Sequence, residues 1–262
     1  MILHRVTANF RRQDWMAVFV ELVVVVVGVF IGVQASNWNE DRETNRKAAV
    51  FAERLKSDLR EEAWGYEVQV GYFNQVLANA KRAAGALAGT TPLSDEALLV
   101  SAYRATQFNS YTRRRATYDE LTSTGEISLI RDAALRELAM RVYTEPMMDD
   151  IVRSAQTAEY RKAFRMALPY EVQQTLADKC GDHIVPVGNY EAIASVLDYP
   201  CSTGLPPATI AASDEILKKD PRLLALLRLR IADIETDLGN MTVYYAHDIR
   251  EPLRRIGARK QP

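Results

Sequence analysis

The sequence predicts an all-α protein in which a single N-terminal transmembrane helix is followed by an antiparallel helical bundle with two long helices and several short ones. One apolar stretch near the N-terminus is long enough to cross a bilayer. The rest of the chain repeats apolar residues at helical spacing. No segment alternates with period two for long enough to predict a sheet, and Ile127 to Ile130 is the one short extended candidate.

The predicted transmembrane helix runs from Trp15 to Trp38. Its uninterrupted apolar run, Leu22 to Val33, has twelve residues, a length that also occurs in core helices and signal peptides. When the run is extended back to Met16, it includes one charge, Glu21, and covers about 27 Å as a helix. That length is close to one hydrocarbon thickness. The two tryptophans then lie about 35 Å apart, as interface anchors at the two headgroup levels.

Two alternatives to an uncleaved signal-anchor remain open. A cleaved signal peptide would end at Val33-Gln34-Ala35, where small residues suit a signal peptidase. A soluble helix buried in a core would also be apolar, but it has no reason to be bracketed by tryptophans. Against cleavage, the region before the apolar core is long and contains Trp15 and Glu21.

The orientation of the chain does not follow from charge alone. Lys and Arg residues are balanced across the span: Arg5, Arg11 and Arg12 precede it, and Arg42, Arg46 and Lys47 follow it. Because a first span usually sets topology and a long C-terminal domain is translocated largely regardless of charge, we expect the N-terminus to be cytoplasmic. The domains are then a short cytoplasmic segment 1–14, the span 15–38, an extracytoplasmic helical domain 39–257 with a loop-rich insertion at 180–212, and a basic tail 258–262.

One face of the span carries small residues and a carboxyl group. Gly28 and Gly32 are four residues apart, Ser36 extends the row, and Glu21 lies on the same face seven residues before Gly28. Such a face lets two helices approach closely, although glycine is common in spanning helices in any case. Glu21 has three interpretations: a packing residue, a boundary residue that reaches water, or a proton carrier.

The two cysteines, Cys180 and Cys201, bound a segment rich in turn-forming residues. An even cysteine count in an exported domain indicates one disulfide, which would stabilise the fold by about 3 kcal/mol. A metal site with Asp182 and His183 is the sharper alternative, but only Cys180 and His183 have a recognisable spacing. Free buried thiols are the third alternative.

Two long helices are predicted after the span. From Asn39 to Leu87, apolar residues recur at intervals of three and four. The last helix starts at Pro221 with Asp220 as its cap and is ended or kinked by Pro252; its seam is Leu224, Leu227, Ile231, Ile234, Leu238, Met241 and Tyr245. The shorter elements are Asp95–Gln107 capped by Ser94, Thr117–Thr124 stopped by Gly125, a helix after Asp132, one helix from Pro146 towards Pro169, and a short turn at Asp214–Lys219.

Two segments resemble a known family. Val26 to Glu40, VVGVFIGVQASNWNE, and Thr117 to Asp132, TYDELTSTGEISLIRD, are similar to segments of bacterial single-span proteins known only as a domain of unknown function. The resemblance covers about half the chain and does not extend to the cysteine-bounded segment. It implies a membrane-anchored helical architecture in a bacterium and no activity. Together with the expected cytoplasmic N-terminus, this predicts a bacterial inner-membrane protein whose C-terminal domain is periplasmic.

The chain lacks catalytic motifs. Its three histidines are widely separated, and it has no phosphate-binding loop and no paired metal motif, so we expect no cofactor and no metal. A net charge of −1 offers no basic excess for nucleic acid. Arg113, Arg114 and Arg115 form the one cluster suited to an anion, and a solvated helix start is the alternative.

The sequence therefore indicates a non-enzymatic, membrane-anchored interaction or sensing protein. Its expected partners are the lipid bilayer and either a second copy of the chain or another membrane protein. One alternative is an accessory subunit of a larger membrane complex that pairs through the Glu21 face. A metal-dependent hydrolase using His183 is the third interpretation.

Overall fold

The computed structural model of the protein describes residues 15–110 and 112–258. These residues form an all-α protein with no strand among them. The helices are α1 (Trp15–Leu87), α2 (Asp95–Arg104), α3 (Ala116–Ser123), α4 (Ala133–Thr144), α5 (Met147–Thr157), α6 (Glu159–Ala167), α7 (Tyr170–Cys180), α8 (Pro207–Lys219), α9 (Pro221–Gly239) and α10 (Glu251–Gly257). The predicted cytoplasmic segment 1–14 and residues 259–262 of the predicted basic tail lie outside the described residues.

The chain divides into two compact units. The first extends to Ala52 and also includes residues 129–131, and the second comprises residues 53–128 and continues from Asp132. In the first unit, α1 contains a window long and apolar enough to cross a membrane by length and composition, and none of that window is buried in the protein. Ala48 is the first buried residue of α1.

In the second unit, α1 is the central element. From Glu62 to Ala83 it buries side chains around much of its circumference, more than the predicted stripe. Helix α9 runs antiparallel to it, since Lys81 pairs with Glu235 at 2.6 Å while the Tyr66 hydroxyl donates to the Met241 carbonyl at 2.8 Å. The distal core joins the end of α1 to α2, α6, α7, α8 and α9.

The predicted helix caps are confirmed. The side chains of Ser94, Asp132 and Asp220 each accept a backbone N–H in the first turn of their helices, which satisfies a donor that has no intrahelical partner. Gly125 has φ of 73° directly after α3, a left-handed conformation that glycine adopts without steric cost. Short-range polar signals were therefore sufficient to locate these helix ends.

The predicted single helix between Pro146 and Pro169 is wrong. The chain breaks at Ala158, whose ψ is 132°, and separates α5 from α6. Local propensity favours continuation, because alanine is the best helix former. The break places Tyr160 in the core, where its hydroxyl donates to the Ala102 carbonyl at 3.0 Å. A tertiary contact therefore accompanies a break that the local sequence does not signal.

The predicted turn at Asp214–Lys219 is also wrong, because these residues belong to α8, which begins at Pro207. Proline lacks an N–H, but the first turn of a helix does not need that donor. Pro207 therefore starts a helix inside the segment predicted as the loop-rich insertion 180–212. Ser213, Asp214 and Leu217 are the buried residues of α8.

The segment predicted as extended, Ile127 to Ile130, is instead a single 3₁₀ turn at Ile127–Leu129. Within the described part of the chain no strand exists to pair with it, so an extended conformation would gain no ladder hydrogen bonds. The turn follows Gly125, where the Glu126 N–H donates to the Leu121 carbonyl at 2.8 Å and closes the end of α3.

The end of the last helix differs from the prediction. The regular helix stops at Gly239, and two π-helical segments follow, Asn240–Tyr244 and Ala246–Arg250. Pro252 lies in the first turn of α10, where its missing N–H is tolerated, so it neither ends nor kinks α9. The predicted seam is correct at Leu227, Ile234, Leu238 and Met241. Leu223 and Arg230 are buried where Leu224 and Ile231 were predicted, and those two residues are only partly buried.

Candidate functional site

The side chains predicted to act in the span are all exposed. Trp15 and Trp38 are 67% and 64% exposed, and nothing within 4 Å would meet a Cβ added at Gly28 or Gly32. The Ser36 hydroxyl lies 3.4 Å from Glu40, within its own helix. This surface is consequently available to a bilayer or to another helix.

The two cysteines are joined in a disulfide, with Cα atoms 5.6 Å apart. This pairing agrees with the predicted disulfide, and in the bonded form Cys180 has no thiolate to offer a metal. The Asp182 carboxylate accepts the Tyr72 hydroxyl at 2.9 Å, and the His183 ring stacks on Tyr199 at 3.7 Å. Within residues 15–110 and 112–258, no group of three or more His, Cys, Asp and Glu side chains is arranged to hold a metal ion.

A buried arginine fastens the disulfide-closed loop to α2. Arg104 is 3% exposed and donates from Nε to the Cys180 carbonyl at 3.2 Å and from Nη1 to the Tyr199 carbonyl at 2.9 Å. Its guanidinium also lies 4.5 Å from the centre of the Tyr199 ring. The sequence analysis missed this residue, because its partners are 76 and 95 positions away.

The three consecutive arginines predicted as an anion site do not converge on one point. Arg113 contacts Glu62 at 3.2 Å, Arg114 pairs with Glu61, and Arg115 pairs with Asp119 at 2.9 Å. Tyr111, next to this cluster in sequence, lies outside the described residues. Each guanidinium is therefore engaged by a different carboxylate of the chain itself, and the cluster ties α1 to the start of α3.

A cleft of about 390 Å³ in the second unit is the better candidate for a ligand site. This volume falls within the usual range for small-molecule pockets. Its walls come from three parts of the chain that are distant in sequence: α1, the helix α4 with its cap, and the C-terminal segment. The lining residues are Lys56, Arg60, Asp132, Ala134, Leu135, Glu137, Leu138, Arg141, His247, Asp248, Pro252, Arg255 and Ile256.

The acidic side chains of this cleft already have partners. Asp132 caps α4 by accepting the Leu135 N–H at 3.1 Å. Glu137 and Asp248 contact Arg141 at 2.8 Å and 3.2 Å. The carboxylates of the cleft are therefore all in intramolecular contacts, and two of them neutralise the charge of Arg141.

Arg60 differs from these groups. Its Nε is buried without a hydrogen-bond partner, and among the described residues the guanidinium forms no ion pair. A guanidinium carries five donors and cannot lose its proton in a protein, so an unused one at the wall of a cleft is a ready anion donor. Sequence reasoning missed it. Lys56 and Arg60 are four apart on one helix face, but no local signal brings Arg255 beside them.

A second cleft of about 390 Å³ lies at the π-helical segment and includes Glu145, Asp150, Asp237 and Tyr245 in its lining. Burial raises the pKa of Asp237 to about 6, against the opposing influence of the nearby Arg230. One oxygen of this carboxyl group is buried without a hydrogen-bond partner. The group is consequently held in an unfavourable environment at neutral pH.

Fold and site together describe an all-α protein with an N-terminal helix able to cross a membrane and a helical unit that contains a charged cleft. Residues 21–148, just under half of the 262-residue chain, match the model of a family of unknown function, DUF6090. Both segments of the predicted resemblance lie within this match, and the disulfide lies outside it. No curated protein and no solved structure matches the chain.

Proposed function

We propose that the protein is a non-enzymatic, membrane-anchored interaction or sensing module. The observation that carries this proposal is the helix α1, whose exposed apolar portion continues directly into the core of the helical unit. A signal that changes the helical unit would therefore act on the same helix that crosses the bilayer. We propose a bacterial inner-membrane location, with the N-terminus cytoplasmic and the helical unit periplasmic.

The disulfide supports this sidedness, because such bonds persist in oxidising compartments and are rare in the cytoplasm. The test is a reporter fused after residue 262. Alkaline phosphatase fused there should be active and a fluorescent protein fused there by the same export route should be dark. A bright fluorescent fusion with inactive phosphatase would place the helical unit on the cytoplasmic side and contradict the proposal.

Self-association through the small-residue face is the second part of the proposal. Gly28 and Gly32 meet nothing within 4 Å in the single chain, so two copies could pack there closely. Replacing both with Ile should lower the fraction of dimer in nanodiscs or mild detergent. Val23→Ile with Val26→Ile is the matched control, since these positions lie on the opposite helix face at 100° per residue. Equal dimer fractions for both double variants would contradict this part.

An accessory subunit of a larger membrane complex is the alternative function, and Glu21 is the observation that favours it. A carboxyl group within a span is costly and usually has a partner. In the single chain Glu21 is exposed. If another protein's span supplies that partner, Glu21→Gln should remove a co-purifying membrane protein from the wild-type preparation. Retention of the same partners would count against this alternative.

A further inference from the structure

We infer that the cleft between α1, α4 and α10 binds an organic acid, that is, a carboxylate or phosphate attached to a small apolar body. This inference rests on the proposed sensing function and names the class of ligand that would be sensed. It follows from three properties of the cleft. Two of its cations lack carboxylate partners, its floor is apolar, and its acidic groups already pair with Arg141 or cap a helix.

The cations are distributed over all three walls. Lys56 and Arg60 lie on α1, Arg141 on α4 and Arg255 on α10. Lys56 is compensated by Glu53 at 2.8 Å and Arg141 by two carboxylates. Among the described residues, Arg60 and Arg255 have no carboxylate within 4 Å, and the one contact of Arg255 is with the Glu251 carbonyl at 3.4 Å. Arg60 and Arg255 therefore have no direct ion pair among these residues, although the charge of Glu53 acts on Arg60 and Arg255 is exposed to water.

The floor of the cleft is apolar. Ala134, Leu135 and Leu138 contribute it from α4, and Pro252 and Ile256 contribute it from the C-terminal side. A free phosphate or acetate ion would leave this surface in contact with water. A ligand with an apolar body would bury it at roughly 25 cal/mol per Å², while its anionic group pairs with a guanidinium through charge-assisted hydrogen bonds.

A cationic or neutral ligand fits this cleft less well. A cation would have to compete for Glu137 or Asp248 with Arg141, which contacts both, and would lie near Arg60 and Arg255. A neutral body would fill the floor but would place no negative charge beside these two guanidinium groups. An anionic group can accept charge-assisted hydrogen bonds from them, which are stronger than hydrogen bonds between neutral groups.

The test is calorimetric titration of the full chain in phosphatidylcholine nanodiscs with ligands that share one body. 4-Phenylbutyrate should bind, and 4-phenylbutanamide should have an affinity at least about tenfold lower. 4-Phenylbutylamine and inorganic phosphate should not bind measurably. Arg60→Gln should weaken 4-phenylbutyrate about tenfold. Because Arg60 makes no hydrogen bond to any other residue that the structure describes, this variant should remain folded, which circular dichroism checks.

Arg82→Gln is the matched control. Arg82 lies on the same helix but pairs with Asp198 at 2.6 Å, away from the cleft, so this variant should bind 4-phenylbutyrate as the wild type does. Equal binding of acid and amide, wild-type affinity in Arg60→Gln, or no binding of 4-phenylbutyrate would each overturn the inference. None of these outcomes bears on the proposed sidedness or self-association, which the reporter fusions and the glycine variants test separately.

An organic acid and an anionic lipid share this chemistry. Adding phosphatidylglycerol to the nanodiscs distinguishes the two sources. If the lipid headgroup occupies the cleft, phosphatidylglycerol should weaken the binding of 4-phenylbutyrate to the wild type. It should not weaken the smaller binding that remains in Arg60→Gln. Unchanged wild-type affinity identifies a free organic acid as the ligand.

Discussion

The Glu62 carboxylate of α1 accepts a hydrogen bond from the Arg113 guanidinium at 3.2 Å, in a contact where the two side chains are only 2% and 11% exposed. The same carboxylate accepts the Arg114 N–H at 2.7 Å. Because Arg113 also donates to the Val142 carbonyl at 2.5 Å, this ion pair connects α1, the segment before α3, and α4. Arg113, for which the sequence suggested an anion site or a solvated helix start, therefore belongs to a buried charge pair.

Replacing Glu62 with Ala should lower the free energy of unfolding by about 3 kcal/mol, because it removes the buried carboxylate 3.2 Å from the Arg113 guanidinium. Asp149, at 3.8 Å, is more exposed and compensates that charge less. Chemical denaturation of the purified chain measures the loss. The neighbouring Glu61 pairs with the exposed Arg114 side chain, so Glu61→Ala should cost less than about 1 kcal/mol. Similar losses in the two variants would show that the buried Glu62 contact stabilises the fold no more than the exposed Glu61 contact does.

Gln75 of α1 holds the disulfide-closed loop through its amide. Its Oε1 accepts the N–H groups of Leu197 and Asp198 at 2.9 and 2.8 Å, and its Nε2 donates to the Ile193 carbonyl at 2.7 Å. Gln75→Leu leaves these backbone groups without partners, at about 1–3 kcal/mol for each one that stays buried. We expect a total loss of about 3 kcal/mol by urea denaturation.

Asn74 provides the control for this substitution. It is exposed, and within the described part of the chain its side chain bonds only to the Val70 carbonyl of its own helix. Asn74→Leu should therefore change stability by less than about 0.5 kcal/mol. If both leucine variants unfold at the same denaturant concentration, the three hydrogen bonds of Gln75 do not stabilise the loop.

The Cys180–Cys201 bond closes a loop over a sequence separation of 21. In the chain-entropy model, its removal in the Cys180→Ser/Cys201→Ser double variant should lower the free energy of unfolding by about 3 kcal/mol. Reductant should destabilise the wild type by a similar amount and leave the double variant unchanged. Thiol alkylation of unreduced, denatured wild type should detect no free cysteine; labelling at both positions would contradict the bond.

Asp237 predicts a pH dependence. Its pKa is raised from 3.8 to about 6 by burial, so the folded state binds the proton more tightly than the unfolded state does. The stabilisation that the folded state gains from protonated Asp237 is fully present below about pH 4 and is lost as the pH rises through about 6. Asp237→Asn removes this loss, so the variant should melt at a higher temperature than the wild type at pH 7.5 and close to it at pH 4.

Thermal unfolding at several pH values checks this prediction. Asp233 lies one turn earlier on the same helix, is exposed, and its charge contributes to the raised pKa of Asp237. Asp233→Asn should therefore give a smaller melting difference at pH 7.5 than Asp237→Asn does. A melting difference between Asp237→Asn and wild type that is equal at pH 4 and pH 7.5 would contradict the assignment.

Helix positions could be predicted where the signal is local. The caps at Ser94, Asp132 and Asp220 depend on hydrogen bonds that span two or three residues, so the sequence contains the complete interaction. The break at Ala158 and the π-helical segments after Gly239 could not be predicted, because local propensity favours a continuous helix there and tertiary packing overrides it.

The candidate cleft could not be predicted from local signals. Its guanidinium groups come from positions 60 and 255, and no periodicity relates residues so far apart. The consecutive arginines 113–115 looked like the better anion site because they are adjacent in sequence. In the structure their side chains reach three different carboxylates.

By itself, the sequence determined the helix able to span a membrane, the all-α class and the caps, since each depends on composition or on contacts between near neighbours. It left the disulfide as one of three alternatives for Cys180 and Cys201. Only the tertiary structure decided which charges are buried, which arginines are neutralised and where a cleft opens. The physical reason is that the energy of a charge depends on the distance to its partner and on the water removed around it. Folding sets both, as Glu62 beside Arg113 and the unpaired Arg60 illustrate.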